Sequence, residues 1–205
     1  EILKYQLKEG WYIFISTVVI SLYTTSRVFI VGLFTNNIIT GYYAIAEKLM
    51  NVVQTFPLVS FLQSFYPRLS NMYLNFKEEA YSLINKLQIT ITVLYFIIIL
   101  VLFLNADIIV KVVTGYLYNE TVLSLKLLLI AIFFINSNAF RIQFFLISGN
   151  YDIYFKIHVI MGIVGIILLI VLTRLYTYIG AAMSIIIVAF LVLLITIKYF
   201  KRIKY

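Results

Sequence analysis

Apolar runs of roughly twenty residues recur along this chain, separated by short polar stretches, and few folds tolerate that pattern. The runs lie at about 11–35, 42–66, 87–104, 122–147, 153–172 and 178–197. At ~1.5 Å per residue each can carry a helix across the hydrocarbon of a bilayer. They are continuous rather than alternating, which excludes barrel strands. Hydrophobic residues make up 63% of the chain and charged ones 12%. A soluble domain is closer to half apolar and a quarter charged, so this surplus cannot hide in one water-soluble core. The expected fold is all-α and membrane-integral, a bundle of six transmembrane helices.

The stretch 41–73, which contains the second run, is the costly one. It carries Glu47 and Lys48 within its apolar stretch and both prolines of the chain, Pro57 and Pro67. Glu47, Asn51, Gln54 and Thr55 are spaced to share one helix face, and Ser60, Gln63 and Ser64 continue it. Pro57 removes a backbone donor and is expected to kink the helix. Lys48, one residue off the polar face, points elsewhere. In the first run Trp11 marks the headgroup level, and Ser16, Tyr23, Thr24 and Arg27 form a polar stripe.

Arg27 lies eleven residues before Ile38, the middle of the first turn, and Glu47 lies nine residues after it. An antiparallel hairpin brings the two to nearly the same depth, where pairing lowers the cost of burying either charge. Two readings follow. The pair could be a structural register between the first two spans, or it could belong to a polar cavity. In the second case the arginine meets an anionic substrate, and the glutamate balances it or carries a coupling proton.

Further along, residues 68–82 read as a loop in which Asn75 and Glu78 have the spacing of a helix-starting cap. The third span is uniformly apolar, facing lipid or a neighbouring helix. Residues 106–118 read as a short amphipathic helix at the surface, with an interhelical loop as the alternative. The fourth span turns polar at Asn136, Ser137, Asn138 and Arg141, the last three on one face. Arg141 is ~9 Å from the end of that span, so it either snorkels to the interface or adds positive charge to the mouth of a cavity. Gly162 with Gly165, and Gly180 with Ser184, offer small-residue patches for close helix approach.

Of the 16 basic residues, ten fall on the side of the chain ends, three (Lys111, Lys126, Arg174) on the other side, and three (Arg27, Lys48, Arg141) within spans. Both termini are therefore expected in the cytoplasm. The net charge of +8 is read as membrane orientation, not as nucleic-acid binding. There is no cysteine and one histidine, His158. Thiolate chemistry and two-histidine metal sites are excluded, and His158 reads as a packed or interfacial residue. No catalytic grouping, metal site or cofactor is called for. The chain starts EILKYQ, with no signal pattern before the first span, and is expected to be part of something longer.

Several stretches resemble the second half of Wzx-type O-antigen and capsular polysaccharide flippases, of the MATE-like MOP superfamily. Within residues 7–72 these are LKEG followed by Trp11, SLYTTS at 21–26, GYYAIAEK at 41–48 and YPRLS at 66–70; ADIIVKVVTG at 106–115 and FLISGN at 145–150 extend the similarity along the chain. The resemblance implies one six-helix lobe of a two-lobed transporter in the bacterial cytoplasmic membrane. Its partners would be membrane lipid, an N-terminal lobe and a lipid-linked oligosaccharide carried on polyprenyl pyrophosphate, with proton or sodium coupling left open. Arg27, Glu47, Asn51, Gln54, Asn138 and Arg141 are the expected cavity residues. Two alternatives remain. A small-molecule antiporter of the same superfamily would favour an aromatic, acidic cavity, and a membrane enzyme of the same lipid-linked sugar pathway would need a catalytic grouping in a large outer loop.

Overall fold

The computed structural model describes residues 2–204, apart from the side chains of 2–6, 8, 56–60 and 204. The expectations resting on Pro57, Ser60, Lys4, Lys8 and Lys204 lie outside the described residues. Every described element is a helix: α1 (Ile2–Phe34), α2 (Asn37–Asn75), α3 (Lys77–Leu104), α4 (Ala106–Thr114), α5 (Asn119–Asn136), α6 (Ala139–Ile147) and α7 (Tyr151–Lys204).

The first hairpin is tighter than the interval between the runs at 11–35 and 42–66, since α1 ends at Phe34 and α2 begins at Asn37. Asn36 caps α2, its side chain accepting from the Ile39 amide at 2.9 Å. Thr35 Oγ1 donates back to the Val31 carbonyl at 2.7 Å and lies 3.1 Å from Thr40 Oγ1. Two helices are thus joined through two residues, which fixes their register.

The loop expected at 68–82 is absent. α2 continues to Asn75 and α3 begins at Lys77, with Phe76 alone between them. Asn75 does not cap α3, since its amide bonds Asn71 one turn back. Residues 68–75 extend α2 because their apolar members have core to pack on: Leu69 is buried, and the Tyr73 ring lies against those of Tyr81 and Phe144. Glu78 and Glu79 sit in the first turn of α3, where the helix dipole favours acids.

α4 stops at Thr114, earlier than the expected 118, because Gly115 takes the left-handed conformation (φ 78°) that ends helices. Its apolar side chains Ile108, Val112 and Val113 are exposed. Asp107 pairs with Lys126 of α5 at 3.5 Å, tying this short helix to the bundle.

α7 would be ~80 Å long if straight, but it reverses. Tyr176 and Thr177 leave the helical region, Thr177 at φ 54°. A Cβ on Gly180 would collide with the Leu172 carbonyl, eight residues earlier, so the chain has folded back on itself. Residues 151–175 and 178–204 are therefore two antiparallel arms. Gly162 and Gly165 of the first arm abut Val19 and Tyr23 of α1, and this is what the small patches accomplish.

Among the described residues four stretches are long and apolar enough to cross a membrane: Glu9–Phe34, Lys77–Leu104, Asn119–Ile147 and Tyr151–Ile203. The last contains the reversal. The chain is a multi-pass membrane protein. α2 is 39 residues long but interrupts its apolar surface with the polar face that lines the site. α1 packs along α7, α5 against α2 and α7, and α3 against α5 and α2. At the end where the termini lie, Tyr81, Phe144 and Phe200 form a ring cluster, and the Tyr81 hydroxyl donates to the Ile203 carbonyl at 3.1 Å.

Candidate functional site

The turn between α1 and α2 sets the depth of Arg27 and Glu47, and the structure brings them together. Arg27 Nη1 lies 3.4 Å from Glu47 Oε1, and both residues are buried. The guanidinium also sits over the Tyr23 ring, one turn away, with its carbon 4.8 Å from the centroid. Arg27 Nε is buried without a hydrogen-bond partner. The arginine is thus held by one long contact with Glu47 and by a ring face, leaving donor capacity in its fork.

The pair lines a cavity of about 590 Å³ walled by α1, α2, α5, α6 and both arms of α7. From α2 come Glu47, Asn51, Gln54 and Thr55, while Gln63 and Ser64 further along the same face are exposed and do not line the cavity. From α1 come Tyr23, Thr24 and Arg27 of the polar stripe, while Ser16 of the same stripe is buried and bonds back to the Tyr12 carbonyl at 2.7 Å. Asn51 and Thr55 are exposed, so the cavity opens along α2. Lys48 is exposed and does not line it.

Opposite lies a break. The fourth span is not one helix: α5 ends at Asn136, Ser137 and Asn138 leave regular geometry, and α6 resumes at Ala139. Asn138 lines the cavity. The side-chain amides of Asn136 and Asn138 are buried and have no hydrogen-bond partner. Membrane helices interrupted beside a cavity expose polar backbone and side chains where a ligand can use them.

Arg141 is placed differently from the rest. It is absent from the cavity wall, and its Nη1 donates to the Ser137 carbonyl at 3.0 Å, one turn back across the break. The common face counted from Ser137 to Arg141 assumes an unbroken helix, and the break resets that phase.

Two residues of the site were not singled out for it from sequence. Gln88 makes α3 less than uniformly apolar. It is buried, donates to the Asn136 carbonyl at 3.1 Å and accepts from the Phe140 amide at 3.0 Å, so one side chain joins both sides of the break. A lone amide in an apolar span was the available signal. His158 lines the cavity, with its ring 4.1 Å from that of Tyr154. Its Nδ1 lies 2.8 Å from the Tyr154 carbonyl. A carbonyl can only accept, so Nδ1 carries a proton.

Fold and site together define a multi-pass helical membrane protein whose helices enclose a polar cavity with a buried ion pair. Residues 3–73 match the family model described as Polysaccharide biosynthesis protein. The chain is also similar to the "Putative O-antigen transporter" of Escherichia coli (strain K12), 31% identical over 179 residues, which cover 87% of this chain and 43% of that protein. The chain therefore spans less than half the length of that relative. No solved structure matches it. The two matches support the resemblance to a Wzx-type polysaccharide flippase, and the first nearly coincides with residues 7–72, where the resemblance is densest.

Proposed function

We propose that this chain forms one lobe of a flippase that moves polyprenyl-pyrophosphate-linked oligosaccharide across the bacterial cytoplasmic membrane, for O-antigen or capsule synthesis. The observation that carries the reading is the Arg27–Glu47 pair, buried within a polar cavity inside a multi-pass bundle. A guanidinium with unused donors suits a pyrophosphate, and the Asn51, Gln54 and Asn138 amides suit sugar hydroxyls. The relative named as an O-antigen transporter supports the same substrate class. The lobe crosses the membrane six times with both termini in the cytoplasm, and an N-terminal lobe completes the cavity, since alternating access needs two halves rocking about a shared site. Glu47 either neutralises Arg27 or carries a coupling proton, and sodium is the other coupling ion to test.

The test uses a strain lacking the full-length gene. Lipid-linked oligosaccharide should accumulate there and surface polysaccharide should be lost. The full-length gene should reverse both, and residues 1–205 alone should reverse neither. An unchanged lipid-linked sugar pool in the deletion strain would overturn the proposal. Export of a small drug in its place would favour the antiporter alternative.

A further inference from the structure

Because the arms of α7 are antiparallel, Lys156 near the start of the first comes level with Lys198 and Arg202 near the end of the second. The three cations line one groove of about 350 Å³, whose apolar walls include Ile160, Met161 and Ile195. Ile160 lies four residues beyond Lys156, and Ile195 lies three before Lys198. On both arms the apolar side chains are thus one turn further from the chain ends than the cations.

The depth of the groove follows from its neighbours. Phe155, next to Lys156, contacts Tyr12 with ring centroids 5.2 Å apart, and Trp11 beside Tyr12 is exposed. An aromatic pair closing an apolar run sits at headgroup level. The groove is therefore basic at headgroup depth and apolar at acyl-chain depth.

Its charge is largely uncompensated. Asp152 pairs with Lys156 at 3.3 Å on the exposed surface. Among the described residues no carboxylate forms an ion pair with Lys198 or Arg202. Those two stand at i,i+4 on one helix face, where like charges repel. An anion between the arms would relieve that repulsion and bridge Lys156 to them.

We propose that this groove holds the phosphate of an anionic membrane phospholipid, its acyl chains lying along the Ile160 and Ile195 wall. Basic pockets between membrane helices suit such headgroups, and the apolar floor separates a lipid from a soluble anion. The groove shares the Met161 wall with the cavity of Arg27, but none of its three cations lines that cavity, and the site does not depend on the proposed transport role.

The experiment uses the purified full chain in detergent micelles doped with phosphatidylglycerol or phosphatidylcholine of identical acyl chains. Retained lipid is counted by native mass spectrometry. Phosphatidylglycerol should be retained in preference. Lys198→Gln with Arg202→Gln should cut that preference by at least roughly fivefold, the contribution of about one cation near an anionic headgroup. Lys156→Gln, on the opposite arm, should act in the same direction. Lys86→Gln with Lys111→Gln removes the same charge elsewhere and should leave the preference intact. The exchange Lys198→Arg with Arg202→Lys should also retain it, and helicity by circular dichroism reports that each variant is folded. Equal retention by the wild type and the Lys198→Gln, Arg202→Gln variant would overturn the proposal, as would an equal loss in the Lys86, Lys111 control. Displacement of the phospholipid by millimolar inorganic phosphate would mean that the groove reads a free anion, and the lipid assignment would fail.

Discussion

Arg27 and Glu47 face each other at 3.4 Å across the α1–α2 hairpin, inside a cavity and away from lipid. A well-formed charge-assisted hydrogen bond would be ~2.7–2.9 Å, and a bidentate fork would use both carboxylate oxygens. This pair is single and long. It offsets part of the ~2.5 kcal/mol or more that a lone mid-span arginine costs on insertion scales, without exhausting the guanidinium. Arg27→Ala in the full-length protein is expected to abolish flipping while insertion persists. Arg27→Lys keeps the charge but loses the fork, and should retain partial activity. The measurement is surface polysaccharide against membrane-inserted protein. Normal flipping by Arg27→Ala would remove the arginine from substrate contact. If exchanging the two charges restores an activity that each single change destroys, the pair is a structural register instead.

Gln88 is expected to matter for folding rather than for substrate. Its amide bonds the Asn136 carbonyl and the Phe140 amide, one on each side of the break. Gln88→Leu removes both partners at once, and each buried backbone group left unpaired costs roughly 1–3 kcal/mol. The variant should lower the thermal unfolding midpoint of the detergent-purified chain clearly below wild type. Gln88→Asn, one methylene shorter, cannot span the same gap and should also destabilise. An unchanged midpoint for Gln88→Leu would show that the break holds itself.

Gly180 should be the least replaceable of the small residues in α7. A Cβ at Gly162 or Gly165 meets side chains, Val19 and the Tyr23 ring, which can shift. At Gly180 it meets the Leu172 carbonyl and the Thr173 amide nitrogen, which belong to the opposite arm's backbone. Overpacking of this kind costs ~1–3 kcal/mol. Gly180→Ala should therefore reduce the yield of folded protein, read by size-exclusion chromatography after extraction, more than Gly162→Ala does. The reverse order would mean that the reversal at Tyr176–Thr177 opens readily.

What the sequence made legible here is what counting along a helix can convert into depth and face. Arg27 and Glu47 met because residues on two arms of a hairpin, counted from its turn, fall at equal depth. Asn51, Gln54 and Thr55 lined the cavity because α2 is helical through all of them. Counting fails where helices break. Arg141 left the expected face because Ser137 and Asn138 reset the phase between it and α5. Gln88 went unassigned because its partners lie 48 and 52 residues away, a relation that no local period carries. The run 68–82 reads as a loop from its charges, and the packing of Leu69 and Tyr73 that keeps α2 helical there is a tertiary relation the local sequence does not carry.

Topology gives the last prediction. The turn at Asn36, the α4 segment and the reversal at Tyr176–Thr177 should face outward, and the junctions at Phe76 and 148–150 should face the cytoplasm. The motive is the excess of lysine and arginine on the terminal side, ten against three. Geometry sets the depth of α4 in that arrangement. The exposed apolar residues Ile108, Val112 and Val113 of α4 need an interface to lie in, whereas Asp107 and Lys126 at 3.5 Å can face water. The chain has no native cysteine, so a single one reports cleanly. Asn37→Cys, exposed beside the first turn, should react with a membrane-impermeant maleimide in whole cells, and Lys77→Cys should react only after the inner face is opened. Labelling of Asn37→Cys solely from the cytoplasm would invert the assignment and place the basic groove between the arms of α7 on the outer leaflet.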